Sequence, residues 1–432
     1  MRLLCLSNGH GEDVIALRIL QALRQQPNPP NIEALPIVGV GHAYTQAGIS
    51  IAGAVKRMPS GGFINTDRSQ LARDLQGGLL QLTLEQIRTV REWSTGEQSN
   101  QSKSISQPSK SESSFILAVG DIVPLVFAWL SGLPYAFIGT ARSEYYLRDE
   151  SGWLPRQSWW DDRLERWTGC VYLPWERWLM RHPRCKAVFP RDRITALSLK
   201  RYGIPAFDLG NPMMDGLDRG NGEWRDVEVK PSTANPTLTL LLLPGSRPPE
   251  AYDNWETLLQ AANGILAQMQ GSLRLLVAIA PGLDAAVFHQ QLLAYRWQQT
   301  ETEAYAIGVG DRRATLTLMR PNQFAESLHV ADLAIAMAGT ATEQFVGLGK
   351  PAILIPGKGP QFTPTFAEAQ TRLLGASVEL VTEPVQAFSA IRSLLANPDR
   401  LHLIAENGRR RLGEPGAAKR IAQCLLERMG AG

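Results

Sequence analysis

Cysteine is scarce in this 432-residue chain: Cys5, Cys170, Cys185 and Cys424 stand apart, with no CxxC pair among them. Such scatter argues against a disulfide framework or a thiolate metal site and fits reduced thiols in a cytoplasmic protein. Charge of one sign is lacking too, since 44 Lys and Arg meet 41 Asp and Glu for a net charge of +3. Nucleic acid wants a basic stripe, so it is not expected as a partner. Unbroken apolar runs of membrane-spanning length are also missing. The best candidate, 122–139, carries no charge, but Pro124, Gly132 and Pro134 interrupt it and Asp121 stands at its head. Strand, helix, strand fits it better than a span. The opening run, 1–7, is short and strand-like and meets polar residues at once, so no signal peptide is expected. The chain also has no Asp-x-Asp pair.

What is present is an ordinary globular composition, 44% hydrophobic and 20% charged, at a length that exceeds one core. Two domains are expected: 1–217, a polar linker over 218–236, and 237–432, whose last helix is free to pack back on the first domain. The serine-rich tract over 94–114 has no apolar period and reads as a disordered insertion.

The stretch 331–354, ADLAIAMAGTATEQFVGLGKPAIL, organises the second domain. A buried strand over 333–338 breaks at Gly339. Thr340, Ala341 and Thr342 then open a helix, which Gly349 ends before a second buried strand. Free N–H groups and the dipole at that helix start suit a phosphate. Glu343, in the first helical turn, can accept hydrogen bonds from ribose hydroxyls. The plainer reading is a capped βαβ unit with a first-turn acid. A second such turn, Pro244-Gly245-Ser246-Arg247, follows a leucine-rich strand over 237–243. There Arg247 adds a cation able to neutralise a diphosphate, or is only a surface arginine. Glu368 and Gln370, on a helix past residue 361, are candidates to reach sugar hydroxyls.

The first domain opens with a strand over 2–7, a polar turn from Asn8 to Asp13 and a helix over 14–23. Gly9 and Gly11 shape the turn. His10, Glu12 and Asp13 lie where open α/β sheets bind ligands, although the two acids also complement the helix dipole. A strand over 115–119 ends in Gly120-Asp121, a place for a general base and equally for a helix N-cap. The loop over 59–78, with Phe63, is either a surface connection or an amphipathic contact with acceptor or bilayer. More than half of the 11 tryptophans lie between Trp153 and Trp178, interleaved with arginines. That mixture suits a membrane interface or an amphipathic acceptor, and equally an insertion packed on the domain.

Together the motifs resemble those of lipid-A-disaccharide synthases and, more loosely, of other glycosyltransferases of the GT-B fold. SNGHGED at 7–13 looks like the family's glycine-acid turn, and VGDIVP at 119–124 like its strand ending in an acid. GNPMMD at 210–215 is similar to its closing motif, PGSRPPE at 244–250 to its PGSRxxE, and GTATE at 339–343 to its GTATxE donor motif without the spacer. His10 departs from the small residue usual in that turn and resembles the GGH turn of glycolipid and peptidoglycan-precursor transferases. The likeness spans nearly the whole chain outside the serine-rich tract. It implies an α/β protein of two Rossmann-like domains with parallel sheets facing across a cleft. The implied reaction is inverting transfer from a UDP-sugar, held in the C-terminal domain, to a lipid or amphipathic acceptor on the N-terminal domain. Ser246, Arg247, Gly339, Thr340, Ala341, Thr342 and Glu343 would hold the donor. Asp121 would be the base, with His10 or Glu12 as fallback, and Gly9, Gly11 and Asn211 would lie on the acceptor side. No cofactor is implied and no metal, in keeping with the missing Asp-x-Asp pair. A membrane-seeking Trp stretch would add a peripheral contact at the cytoplasmic membrane face. A nucleotide-sugar 2-epimerase and a non-catalytic sugar-nucleotide-binding protein share the architecture and stand as alternatives.

Overall fold

The computed structural model describes residues 1–56, 78–96, 113–155, 168–217, 237–309 and 312–430, with His10, Val309 and Arg312 by their backbones alone. Phe63, Trp159, Trp160, Trp167, the 218–236 linker and most of the serine-rich tract lie outside the described residues. The chain forms two compact units, Met1–Asp215 with Pro415–Gly432, and Gly216–Glu414.

The first unit runs β1 (Arg2–Ser7), α1 (His10–Arg24), β2 (Asn31–Pro36), α2 (His42–Gln46), β3 (Ser50–Ile51), α3 (Leu79–Thr95), β4 (Ser114–Gly120), α4 (Ile122–Leu130), β5 (Tyr135–Gly139), a ribbon of β6 (Arg148–Asp149) and β7 (Gly152–Trp153), α5 (Pro174–Arg181), β8 (Cys185–Pro190) and α6 (Arg193–Arg201). Six strands make one parallel sheet in the order β3-β2-β1-β4-β5-β8. Alternate side chains of β1 feed opposite cores. Leu4 and Leu6 pack with α3, α4 and α5, while Leu3 and Cys5 pack with α1. Both faces are buried, which is why these strands read as continuous apolar runs. The uncharged stretch at 122–139 resolves into α4 and β5, and no described helix is long and apolar enough to cross a membrane.

The second unit runs β9 (Leu238–Leu243), α7 (Glu250–Gln268), β10 (Ser272–Ala278), α8 (Ala285–Ala294), β11 (Gln298–Glu301), β12 (Ala304–Val309), β13 (Arg312–Met319), α9 (Phe324–Val330), β14 (Leu333–Ala336), α10 (Thr340–Gly347), β15 (Ala352–Leu354), α11 (Pro364–Leu374), β16 (Val378–Leu380), α12 (Ala387–Leu395) and α13 (Pro398–Leu412). Its sheet has the order β11-β12-β13-β10-β9-β14-β15-β16. The strands from β13 to β16 are parallel and repeat the winding of the first unit, while β11 and β12 add an antiparallel edge. That edge gives no signal in the sequence, because β11 is polar and exposed along its whole length and nothing alternates.

Two local expectations are corrected. His10 to Asp13 form the first turn of α1 rather than a loop, entered through Gly9 at φ 140°. Glu12 stands in that first turn, at the positive end of the helix. The two ends of the serine-rich tract belong to regular elements, since Ser94 and Thr95 extend α3 and Ser114 starts β4.

The last helix, α14 (Ala417–Gly430), belongs to the first unit. Ile421, Leu425 and Met429 are buried in the core that α1 covers. The Asp215 carboxylate caps it, accepting from the amides of Gly416 at 2.6 Å, Ala417 at 3.1 Å and Ala418 at 2.7 Å. Each buried apolar side chain is worth about 1.5–3 kcal/mol, so packing attaches the helix and the cap sets where it starts. Replacing Asp215 by alanine is expected to lower stability by about 1–2 kcal/mol, the usual cost of a lost cap. The urea midpoint should fall with an unchanged slope, and no fall would remove the cap from this role.

Candidate functional site

Each parallel sheet reverses its winding once, between β1 and β4 in the first unit and between β9 and β14 in the second. Ligands of open α/β sheets bind beyond the carboxyl ends of the strands at that reversal.

In the second unit the reversal brings the two glycine turns together. Met337 N donates to Leu243 O at 2.9 Å, joining the ends of β9 and β14. Gly245 has φ +102°, and a Cβ there would lie 3.4 Å from Met337 O. Ser246 and Thr340 are exposed, while Arg247, Gly339 and Ala341 are half-buried. Gly339 is the N-cap of α10 and supplies no side-chain cap. Thr342 turns its hydroxyl back to Ala338 O, so the first helical amides are left for another partner. Glu343 is buried and accepts from Gln370 Nε2 at 3.3 Å. Glu368 pairs with Arg372 one turn along its own helix.

The acid that closes PGSRPPE has a task the sequence did not suggest. Glu250 is buried and accepts from the amides of Gln361 and Phe362, the latter at 2.8 Å. One turn on, Asn254 Nδ2 donates to Pro244 O at 3.0 Å. The start of α7 therefore ties the 244–247 turn to the loop before α11.

In the first unit Asp121 caps α4, its Oδ1 accepting from Val123 N at 2.9 Å. Burial raises its pKa, opposed by the Val123 amide, a hydrogen bond from the Asn8 side chain and the positive charge of Arg142. Arg142 in turn pairs with Glu176 at 3.2 Å. Gly120, at φ +132°, lets β1 and β4 end close together, for a Cβ there would sit 3.0 Å from Asn8 Cβ and 3.4 Å from Glu12 Cγ. Thr140 Oγ1 lies 3.4 Å from Glu12 Oε1. Glu12 and Asp121 thus share one sheet end. His10 opens α1 beside them, and Gly11 faces open space. Asn211 is engaged elsewhere: it caps the turn at Pro212–Met214 through Met213 N at 3.1 Å. Arg18 holds the carbonyls of Pro212 and Met213 in that same turn.

With this geometry, the likeness to known proteins can be placed. No family model matches the chain. It is 24% identical over 262 residues to a lipid-A-disaccharide synthase of Synechocystis sp., a match that covers 56% of this chain and 61% of that protein. The shared part is thus less than two thirds of the relative's length. Among solved structures, the chain is similar to MurG of Acinetobacter baumannii, with a TM-score of 0.53 at 15% identity and 99% coverage of both chains. It is similar as well to the UDP-GlcNAc 2-epimerase of Neisseria meningitidis bound to UDP-GlcNAc, with a TM-score of 0.53 at 15% identity over 99% of this chain and 100% of that one. The fold is GT-B, two Rossmann-like units in one chain.

Behind the first-unit site lies a buried chain of hydroxyls. Tyr44 donates to Ser7 Oγ at 2.7 Å, and Ser7 donates to Asp13 Oδ1 at 2.6 Å. Burial pushes the Asp13 carboxyl up to about 7; the Ser7 hydrogen bond opposes that rise and the charge of Glu12 adds to it. The native state therefore holds a proton that the unfolded chain has lost. The associated stability is complete below about pH 4 and is lost as pH rises through about 7. Wild-type stability should fall from pH 5 to pH 8 by on the order of 2–4 kcal/mol from this group, and Asp13→Asn should flatten that slope. Equal slopes in urea titrations of the two proteins would show that Asp13 is ionised throughout.

Proposed function

We propose that this protein is an inverting glycosyltransferase that moves a sugar from a UDP-sugar to a lipid-linked or amphipathic acceptor. The observation that carries the reading is the meeting of the 244–247 and 337–342 turns at the strand reversal of the second unit. A pyrophosphate fits there on the amides of Thr340, Ala341 and Thr342, with the Ser246 hydroxyl and the Arg247 guanidinium in the neighbouring turn. The helix dipole and that cation favour the charge that develops on the departing diphosphate. Glu343 suits the ribose hydroxyls. The named activity of the Synechocystis relative and the UDP-GlcNAc bound in the Neisseria structure support the donor class.

In the first unit Asp121 is the proposed base, taking the proton of the acceptor hydroxyl as its oxygen attacks the anomeric carbon. A carboxyl raised by burial is a stronger base, which helps it do so near neutral pH. Glu12 and His10, on the same sheet end, are the fallback. The acceptor type rests on the helices over one face of that sheet. On α5, Trp175 and Trp178 are 59% and 57% exposed, and Arg181 follows at the same spacing. Leu80 and Leu84 stand exposed on α3, which packs on the same core. Exposed tryptophans beside arginine suit the headgroup layer of a bilayer, where a lipid acceptor resides.

Incubation with radiolabelled UDP-sugars and a total lipid extract should yield a labelled lipid. Asp121→Asn keeps the helix cap and should keep UDP affinity while transfer falls by about 10²–10⁴-fold. Full transfer by that variant would remove Asp121 as the base. Release of an epimerised UDP-sugar with no labelled lipid would instead identify a 2-epimerase. On the membrane side, the wild type should sediment with anionic phospholipid vesicles at low salt. Trp175→Ala combined with Trp178→Ala should leave it in the supernatant with an unchanged melting temperature, and equal sedimentation would place the contact elsewhere.

A further inference from the structure

The helix α11 lies against the first turn of α10 in register. Phe366 meets Gly339, where a Cβ would come within 3.3 Å of the ring. One turn further along both helices, Gln370 meets Glu343, with Nε2 3.3 Å from Oε1. Both side chains are buried, Gln370 to 1% exposure and Glu343 to 5%. The carboxylate decides how the amide stands. A carboxylate only accepts, so the amide nitrogen must face it, and the reversed orientation would set carbonyl oxygen against anion. The amide oxygen is then directed away from Glu343, and Gln370 Oε1 is buried with no hydrogen-bond partner. Native proteins rarely leave a buried acceptor unmatched, and such atoms call for a ligand or water that supplies the donor.

We propose that Gln370 is a hydroxyl-reading residue of the nucleotide site, accepting from one hydroxyl of a ribose diol while Glu343 accepts from the other. The inference rests on the nucleotide reading above and deepens it. Two adjacent acceptors, one on a carboxylate and one on an amide, match the two donors of a vicinal diol. Gln370 Nε2 already occupies part of Glu343 Oε1, which moves the second acceptor onto Gln370 itself. The pair thereby demands a ribonucleotide: removing one hydroxyl leaves Gln370 Oε1 unmatched again. A site that hydrogen-bonds a hydroxyl rejects the analogue without it more strongly than it rejects a change in size.

The test is calorimetric titration of the full chain with UDP, 2′-deoxy-UDP and 3′-deoxy-UDP, for the wild type and for Gln370→Met, which keeps the length of the side chain. The wild type should bind UDP about 10-fold or more tighter than either deoxynucleotide. In Gln370→Met the preference over one deoxynucleotide should vanish while the preference over the other remains. A residue that only positioned Glu343 would weaken both preferences together, and that result overturns the proposal. Retention of both preferences overturns it as well. UDP that fails to bind the wild type at millimolar concentration overturns the nucleotide reading itself. Should Gln370→Met fail to fold by circular dichroism, Gln370→Leu serves the same comparison.

Discussion

Adjacent parallel strands whose crossover helices leave toward opposite faces cannot have the gap between their carboxyl ends covered by either helix. In the first unit α1 packs on one side of the sheet and α4 on the other, and the gap opens between β1 and β4. The second unit repeats the reversal between β9 and β14. Among the described residues, strand ends, glycine turns and helix starts therefore meet at these two reversals. Each place gathers backbone amides that the helices cannot satisfy themselves, and each gathers acids from the first turns of its helices.

Those acids are mostly held from behind. Asp13, Glu250 and Glu343 are all buried, and each accepts from a neighbour in the surrounding shell. A buried polar group left without a partner costs about 1–3 kcal/mol, more than an exposed ion pair such as Arg88 with Glu92 returns. Burial with satisfaction thus fixes the loops around both sheet ends more firmly than surface charge could. Glu250 shows the effect most directly: one carboxylate joins the turn after β9, through α7, to the loop before α11. Lys350 does the like for a helix end, its Nζ donating to the carbonyls of Leu328, His329 and Ala331 where α9 stops.

Much of this frame is legible in the residues. Leu333 to Ala336 read as a strand because every side chain is apolar, and Gly339 and Thr340 read as its end and the next helix start because glycine and threonine favour such turns. Asp121 reads as an N-cap for the same local reason. The hairpin of β11 and β12 does not read at all, since an exposed edge strand needs no apolar alternation. Gln370 reads as a candidate for sugar hydroxyls, but its pairing with Glu343, 27 residues earlier in the chain, does not. Asn211 was legible as part of a motif, but its engagement with its own turn and the grip of Arg18 from α1 were not.

By itself the sequence settled the main buried strands and the residues that stand at the carboxyl ends of β1, β4, β9 and β14. Those features follow from apolar period and turn chemistry, which act over a few neighbouring residues. Only the tertiary structure decided that Gly245 of the PGSR turn lies against Met337, just ahead of GTATE, that Glu250 is an anchor, and that Glu368 is engaged with Arg372 while Gln370 faces Glu343. Strand order and hydrogen-bond partners between distant segments are chosen by which faces can be buried together, and no local pattern carries that choice.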